Sequence, residues 1–326
     1  MDDPFVSIVI TTHNEAVGIG LTLRSIAAQR DAPDFEVVLV DDRSSDGTIE
    51  VAEALDLDFL RILHSQPDPA SPLTTRQQAL DLGFRDAKGE VILTLDGDSA
   101  VPGGWISAMA GPILNRQAVA MAGPITFNPS LTTIASWQIA DAAYYWQVSD
   151  LLSRWGGAGV FFGNFGFRAD LYEEVGGFEA IGPTLTEDLA FAQAIQARGY
   201  KITFRPDVGA VAVAACTDVE SLIDRTMRVS AGPPSLLAAT LTLWPLSLLL
   251  VFLLMVFFGG WFIALFISRF AVGAWFVLSA IERVRTHPRE LNWLTYEVFA
   301  FALALRVIPR VLKGERSQWG GQSYER

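Results

Sequence analysis

This 326-residue sequence predicts an α/β fold with a mostly parallel sheet, followed by a C-terminal helical membrane region. Three observations carry that prediction. Short apolar runs alternate with helical periodicity over the first hundred residues. Carboxylates stand at the ends of two of those runs. Residues 230–268 contain no Asp, Glu, Lys or Arg at all, and about 20 apolar residues suffice to cross a bilayer.

The elements follow in order. Residues 5–10 form a first strand that leaves through Thr11-Thr12-His13-Asn14-Glu15. Residues 18–29 carry Ile19, Leu23 and Ile26 on one helical face. A second strand over 35–40 ends in Asp41-Asp42, and Asp46-Gly47-Thr48 opens a helix running to 55. Residues 59–63 read as a third strand. The proline-rich stretch 67–72 is a loop. A helix over 75–87 turns Ala79, Leu82 and Phe84 inward. The strand over 90–95 then delivers Asp96-Gly97-Asp98. Strands alternating with helices through short connections give a parallel sheet covered by helices. In such sheets ligands bind at the carboxyl ends of strands, where both acidic pairs fall.

Further along, residues 136–155 predict a helix dense in aromatics, with Trp137, Tyr144, Tyr145, Trp146 and Trp155. Core packing and a place at a membrane interface both account for them. Thr186-Glu187-Asp188 opens a helix running to Arg198, with Thr186 as cap and acids in the first turn. Two crossings are expected at about 235–258 and 261–281, broken at Gly259-Gly260, with Pro245 tolerated inside the first. Arg269 falls within the second. A lipid phosphate or snorkelling to an interface would each satisfy its charge. A third apolar segment, 292–312, holds Glu297 and Arg306, and either spans or lies in the interface. The cations after it favour the interface.

Charge divides the chain at the same place. Residues 1–230 carry 15 basic and 31 acidic side chains, and residues 231–326 carry nine and five. An acidic front argues against nucleic acid as a partner, because phosphate backbones are held by Lys and Arg. A basic end fits an anionic leaflet. Arginines outnumber lysines 21 to 3, which genome composition and a salt-adapted cytosol explain equally. The single cysteine, Cys216, excludes an internal disulfide or a Cys-based zinc site. Met1-Asp2-Asp3-Pro4 has no signal-peptide character, so the front half is expected in the cytosol. Two domains are expected: a cytosolic one over 1–229 and a membrane region over 230–326.

Two carboxylates one residue apart suit a hard cation such as Mg2+ or Mn2+. Their companions come in order: "VVLVDDRSSDGT", "LTLDGDS", "GNFGFRADLYEEVGGF" and "LTEDLAFAQAIQARGYKI". With "VSIVITTHNE" at the start, these motifs resemble the family 2 glycosyltransferases, inverting enzymes of GT-A fold that use nucleotide sugars. The resemblance covers about residues 5–230 and implies a mixed, mostly parallel sheet. It implies that Thr11, Glu15, Asp41 and Asp42 lie on the nucleoside, and that Arg76 stands near the nucleotide. Asp96 would lie near the ribose and metal, Asp98 would ligate the metal, and Asp188, with Glu187 beside it, would be the general base. Arg225-Thr226-Met227-Arg228-Val229 resembles the family's (Q/R)xxRW box. Arg225 and Arg228 would then bind the donor diphosphate, or else anchor at headgroups. Val229 stands where Trp is expected, which counts against polymer synthesis. The implied partners are a nucleotide-sugar donor, UDP favoured over GDP, and a membrane lipid acceptor in the bilayer. The implied location is the inner (plasma) membrane, multi-pass, with the catalytic domain in the cytoplasm. A processive polysaccharide synthase is the alternative, and a non-catalytic membrane scaffold a third.

Overall fold

A computed structural model describes residues 6–128, 132–153, 159–208, 210–229, 236–283, 292–313, 317–319 and 322–324. Of the residues named above, Met1, Asp2, Asp3, Pro4 and Trp155 lie outside the described residues. Two compact units divide the chain. The first comprises Met1–Ile125 and Gly159–Ala214, the second Thr126–Ala158 and Ala215–Arg326. The aromatic helix and residues 215–229 thus belong to the second unit, whereas the sequence reading grouped them with the front half.

In the first unit the predicted alternation is present: β1 (Val6–Thr12), α1 (Ile19–Ala27), β2 (Phe35–Asp41), α2 (Thr48–Glu53), β3 (Leu60–His64), α3 (Thr75–Asp86) and β4 (Val91–Asp96). After them come α4 (Trp105–Leu114), β5 (Ala120–Ala122) and β6 (Ile125–Phe127). Helix α5 (Thr133–Ser153) belongs to the second unit. The chain returns with β7 (Phe165–Arg168), α6 (Asp170–Val175), α7 (Gly177–Ile181), α8 (Glu187–Ala197), β8 (Ile202–Phe204) and β9 (Val211–Val213). The main sheet has seven strands in the order β3-β2-β1-β4-β7-β5-β8. Strands β1, β2, β3 and β4 pair in parallel, as do β5 and β8. Only β7 runs antiparallel to its neighbours, β4 and β5, so the sheet is mixed and mostly parallel.

The central strands are apolar on both faces because helices cover both. Val6, Ile8, Ile10, Val37, Leu39 and Leu93 are completely buried, packed with Ile19, Leu23 and Ile26 of α1 and with Trp105 and Met109 of α4. One inward expectation fails: Leu82 of α3 is exposed, while Ala79, Leu80, Gly83 and Phe84 are buried. At 100° per residue, positions 79, 80, 83 and 84 make one face and 82 leaves it. Gly83 is needed there, since a Cβ would come within 2.6 Å of Val9 Cγ1.

The second unit holds α5, α9 (Val219–Val229), α10 (Leu236–Phe258), α11 (Trp261–Arg283) and α12 (Asn292–Leu312), with a short antiparallel pair β10 (Ser317–Trp319) and β11 (Gln322–Tyr324). Among the described residues two stretches, Ala239–Phe258 and Trp261–Arg283, are long and apolar enough to cross a membrane. Gly259 and Gly260 both take φ > 0 between them, a conformation that glycine adopts without the Cβ penalty.

Arg269 has a protein partner instead of the lipid phosphate or interface expected for it. Its Nη1 donates to Glu297 Oε1 at 2.5 Å, its Nη2 to the Trp244 carbonyl at 2.7 Å and its Nε to Ser247 Oγ at 3.1 Å. The guanidinium lies 3.7 Å from the centre of the Trp244 ring, and Trp244 Nε1 donates to the same Glu297 oxygen at 2.8 Å. A Cβ on Gly273 would sit 2.0 Å from Glu297 Oε1. The glycine therefore makes the room that lets a carboxylate enter between α10 and α11. A buried cation demands such a counter-charge.

Candidate active site

Three strand ends build the site. Parallel register sets Thr12 beside Asp41 and Thr11 beside Asp96, so the carboxyl ends of β1, β2 and β4 lie side by side. The loop after β1 turns at Asn14, with φ 59°, and is stitched to the loop after β2. Asn14 N donates to Ser44 Oγ at 2.9 Å, Ser45 N to Asn14 Oδ1 at 2.8 Å, Glu15 N to Thr48 Oγ1 at 2.8 Å and Ala16 N to Asp46 Oδ2 at 3.1 Å. Asp46 thus acts through backbone amides of two loops, and Glu15 is held at a fixed place.

Asp41 and Asp42 are both buried. Asp41 accepts from Ser44 N at 3.1 Å and faces His64 Nδ1 at 3.5 Å. Asp42 accepts from Arg43 Nε at 2.8 Å.

The turn Asp96-Gly97-Asp98 is pressed against the start of α1. Thr22 Oγ1 donates to the Gly97 carbonyl at 2.8 Å. A Cβ on Gly18 would lie 2.8 Å from Asp98 Cα, so only glycine lets the helix approach this closely. Asp98 Oδ2 accepts from Ala214 N at 3.2 Å. On the other side a Cβ on Gly163 would reach within 2.7 Å of Asp96 Oδ2. The neighbouring Asn164 is completely buried, takes the Trp105 indole N–H at 2.8 Å and donates to the Pro124 carbonyl at 2.8 Å. The glycine-marked segment therefore walls the acidic turn from behind.

Acid crowding shows in the protonation behaviour. Burial, then Asp98 and Asp96, raise the Glu15 carboxyl to about 7. Burial and the charge of Asp96 raise Asp98 to about 6. Desolvation and like charge both disfavour the ionised form.

Helix α8 is tied to the same place through α3. Thr74 and Gln77 form a reciprocal capping box at the start of α3. Buried Gln77 also donates to the Gly182 carbonyl at 2.8 Å and accepts from Thr184 N at 3.1 Å, which fixes the loop entering α8. Arg76 reaches Glu187 Oε1 with Nε at 2.6 Å and Asp96 Oδ1 with Nη2 at 2.7 Å. Burial alone would lower the pKa of Arg76, but the two carboxylates outweigh it and hold the group firmly protonated. Burial, followed by the charge of Glu187, raises Asp188 to about 7. Thr186 occupies the cap position of α8 without a side-chain capping hydrogen bond, contrary to the capping expected of it. Its own amide instead donates to Thr184 Oγ1 at 3.2 Å.

Thr11, Glu15, Asp41, Asp42, Arg76, Asp96, Asp98, Glu187 and Asp188 all belong to the first unit, around the ends of β1, β2 and β4 and the first turn of α8. Arg225 and Arg228 stand on α9 in the second unit. The Arg225 guanidinium lies 4.3 Å from the centre of the Phe127 ring, and burial lowers its pKa from the usual guanidinium value. Sequence reading missed Gln77 and Gly18, and it named Gly163 and Asn164 only as part of the "GNFGFRADLYEEVGGF" motif, without their contacts. Only the capping-box spacing from Thr74 to Gln77 gave a signal.

A divalent cation fits the residues present. Asp96 and Asp98 offer oxygen donors alone. Thr12 Oγ1 is buried with no hydrogen-bond partner among the described residues, beside Gly97. Among those residues no cluster of three or more His, Cys, Asp or Glu is spaced to hold an ion. Two carboxylates with ligands supplied by phosphate and water are a common arrangement for Mg2+.

Residues 7–176 match the family model described as glycosyl transferase family 2. The chain is 27% identical over 210 residues to a probable glycosyltransferase of Bacillus subtilis, a match covering 62% of this chain and 49% of that protein. It is 34% identical over 104 residues to an undecaprenyl-phosphate 4-deoxy-4-formamido-L-arabinose transferase of Pseudomonas syringae, covering 30% of this chain and 29% of that one. The matches therefore span half or less of these relatives' own length. Among solved structures, a mannosyltransferase from Pyrobaculum calidifontis in complex with GDP-Man and Mn2+ superposes with a TM-score of 0.54 at 18% identity, covering 94% of this chain and 87% of that one. At that identity the likeness speaks for the fold, which is GT-A.

Proposed function

The chain belongs to glycosyl transferase family 2, and from that premise we propose that it moves a single sugar, with inversion, from a nucleotide diphosphate sugar to a membrane lipid acceptor. One observation carries the reading: a carboxyl raised to about 7, Asp188, opens a helix whose adjacent Glu187 is joined through Arg76 to the acidic turn at the end of β4. A poised base and an oxygen-donor cation site then share one scaffold.

An acceptor hydroxyl is a poor nucleophile until it loses its proton. Asp188 takes that proton as the new C–O bond forms, and a base raised towards neutrality does this best near pH 7. One displacement inverts the anomeric carbon, so an α-linked donor gives a β-linked product and no protein nucleophile is needed. Glu15, Asp41 and Asp42 line the nucleoside end, with Thr11 beside them. Asp96 and Asp98 would hold Mg2+ or Mn2+, which neutralises charge on a departing diphosphate. Arg225 and Arg228 on α9 are candidates for the same diphosphate or for lipid headgroups. The donor is a UDP-sugar in preference to a GDP-sugar.

The lipid acceptor draws support from the two apolar helices α10 and α11 and from the undecaprenyl-phosphate transferase among the relatives. In this reading α10 and α11 cross the inner membrane and the sheet unit faces the cytoplasm. The acceptor is a glycolipid or a hydroxylated carotenoid, whose hydroxyl gives its proton to Asp188, or a polyprenyl phosphate, whose nucleophilic oxygen is already ionised near pH 7. A processive synthase is disfavoured by Val229, an exposed aliphatic side chain at the end of α9.

The test is purified full-length protein in detergent with UDP- and GDP-sugars, Mn2+ and a lipid extract, read by mass spectrometry. A singly glycosylated lipid supports the proposal, and a polymer sinks it. Asp188→Asn is expected to cost about 10²–10⁴-fold in turnover while donor binding persists. Wild-type turnover in that variant would remove Asp188 as the base.

A further inference from the structure

Arg76 is where three elements far apart in sequence meet. It sits in the first turn of α3, and its side chain reaches residues of two other elements. One arm of the guanidinium holds Glu187, 111 positions away, and the other holds Asp96, 20 positions away, at 2.6 and 2.7 Å. The resemblance to family 2 placed this residue on the nucleotide. The geometry instead occupies its planar fork with two carboxylates.

We propose that Arg76 is a positioning residue that sets the Glu187–Asp188 turn relative to Asp96, so that what binds at Asp96 governs where the base stands. This rests on the glycosyl-transfer reading of the site. Two ties join α3 to the entry of α8. Gln77 holds the backbone of residues 182 and 184, and this tie touches nothing at the strand ends. Arg76 holds the side chain of Glu187, and it alone of the two continues to Asp96. Glu187 is buried, so its charge has little water to turn to and stays with the guanidinium. Asp96 is about one-third exposed and shares its carboxylate between Arg76 and any incoming ligand. A cation bound by Asp96 draws on the same charge that holds Arg76, and Arg76 keeps its other arm on Glu187. The link is thus firm at the base and adjustable at the donor. A fork is required for it, because a lysine ammonium is a point charge that cannot reach two carboxylates in fixed, coplanar geometry.

The experiment compares full-length Arg76→Gln, Arg76→Lys, Glu187→Gln and the double variant Arg76→Gln/Glu187→Gln, using the donor and acceptor that wild type accepts. Arg76→Gln is expected to lower kcat by about 10²-fold, the effect of a misplaced group near the chemistry, with donor KM close to wild type. The double variant falls no further than the worse single one, as expected of residues acting as a unit. The acidic limb of kcat moves to higher pH in Arg76→Gln, because a cation that favours ionised Asp188 is gone. Arg76→Lys keeps that limb but not the rate. A readout without turnover accompanies these: in metal-free protein, the melting-temperature losses of the single variants are non-additive, and Mn2+ stabilises Glu187→Gln relative to its own metal-free form at least as well as wild type. A rise in donor KM at unchanged kcat would make Arg76 a nucleotide contact and overturn the proposal. A lowered melting temperature with unchanged kcat and pH limb would reduce it to a brace and overturn it equally. Failure of wild type to transfer any sugar would instead condemn the functional reading, leaving the melting-temperature cycle to judge the linkage.

Discussion

In the proposed reaction the chemistry rests on Asp188, acting as the base, and on its neighbours, one side chain at a time. The carboxyl of Asp188 is raised to about 7 by burial and by Glu187, and it works as a base only when ionised. Transfer is therefore expected to fall as pH drops below about 7, with a single acidic limb in kcat that Asp188→Asn abolishes. The same crowding bears on stability. Glu15 and Asp98 are raised to about 7 and about 6, so the folded state binds protons more tightly than the unfolded one. Stability present at low pH is lost as pH rises through 6 to 7. Melting curves without metal should accordingly shift down between pH 5.5 and 8, and Mn2+ should reverse the shift more at pH 8 than at pH 5.5. An unchanged melting temperature over that window would refute the crowding. Asp96, Asp98 and Asp188 were legible in the sequence because acids at strand and helix ends have a recognisable context. The contacts of Gln77 and Gly163 were not, although a capping-box spacing and a quoted motif mark the two residues, since those contacts depend on what folds against them from more than 60 residues away. Gly163→Ala tests one of these: a Cβ 2.7 Å from Asp96 Oδ2 should displace that carboxylate and weaken metal-dependent transfer strongly, while overpacking costs about 1–3 kcal/mol by denaturant unfolding.

At the level of elements, the β-α alternation up to β4 could be read because apolar runs and turn residues mark it. Strand β7 could not. Its Phe165-Gly166-Phe167 core was read only as part of a family motif, and Gly166 is there because a Cβ would meet Leu93 Cδ2 at 2.6 Å across the β4 pairing. The charges in the apolar helices were visible as residues but not as partners. Nothing in the spacing of Arg269 and Glu297 says that they pair, since α10 supplies Trp244 and Ser247 and α11 supplies the Gly273 gap. Glu297→Ala would leave Arg269 buried and unpaired, and breaking such a pair costs about 3–5 kcal/mol. Thermal unfolding in detergent should show that loss, and Glu297→Ala/Arg269→Met should recover most of it. A double variant no more stable than Glu297→Ala would show that the pair does not hold these helices together.

Across the whole molecule, the acidic front and basic end of the sequence foretold two parts of different character, but not how the chain is shared between them. The first unit is made of two stretches, Met1–Ile125 and Gly159–Ala214, and the second takes Thr126–Ala158 from between them. Helix α5 depends on elements made much later. Trp137 stacks on Phe299 with ring centres 4.9 Å apart, Tyr144 meets Phe276 and Tyr296, and half-buried Asp141 accepts the Tyr296 hydroxyl at 2.8 Å. A chain cut after residue 229 would leave those surfaces bare. It is expected to aggregate or to adsorb to vesicles in a flotation assay, and a soluble, monodisperse product would contradict this.

That interruption also sets an order of events on the ribosome. By the time Ala214 emerges, every strand of the seven-stranded sheet has been synthesised, while α11 and α12, which cover α5, have not. At roughly 5–20 residues per second, α5 waits several seconds for its partners with its aromatic rings uncovered. A nascent helix in that condition needs a temporary shelter, and a chaperone or the surface of the bilayer into which α10 is about to insert would provide one.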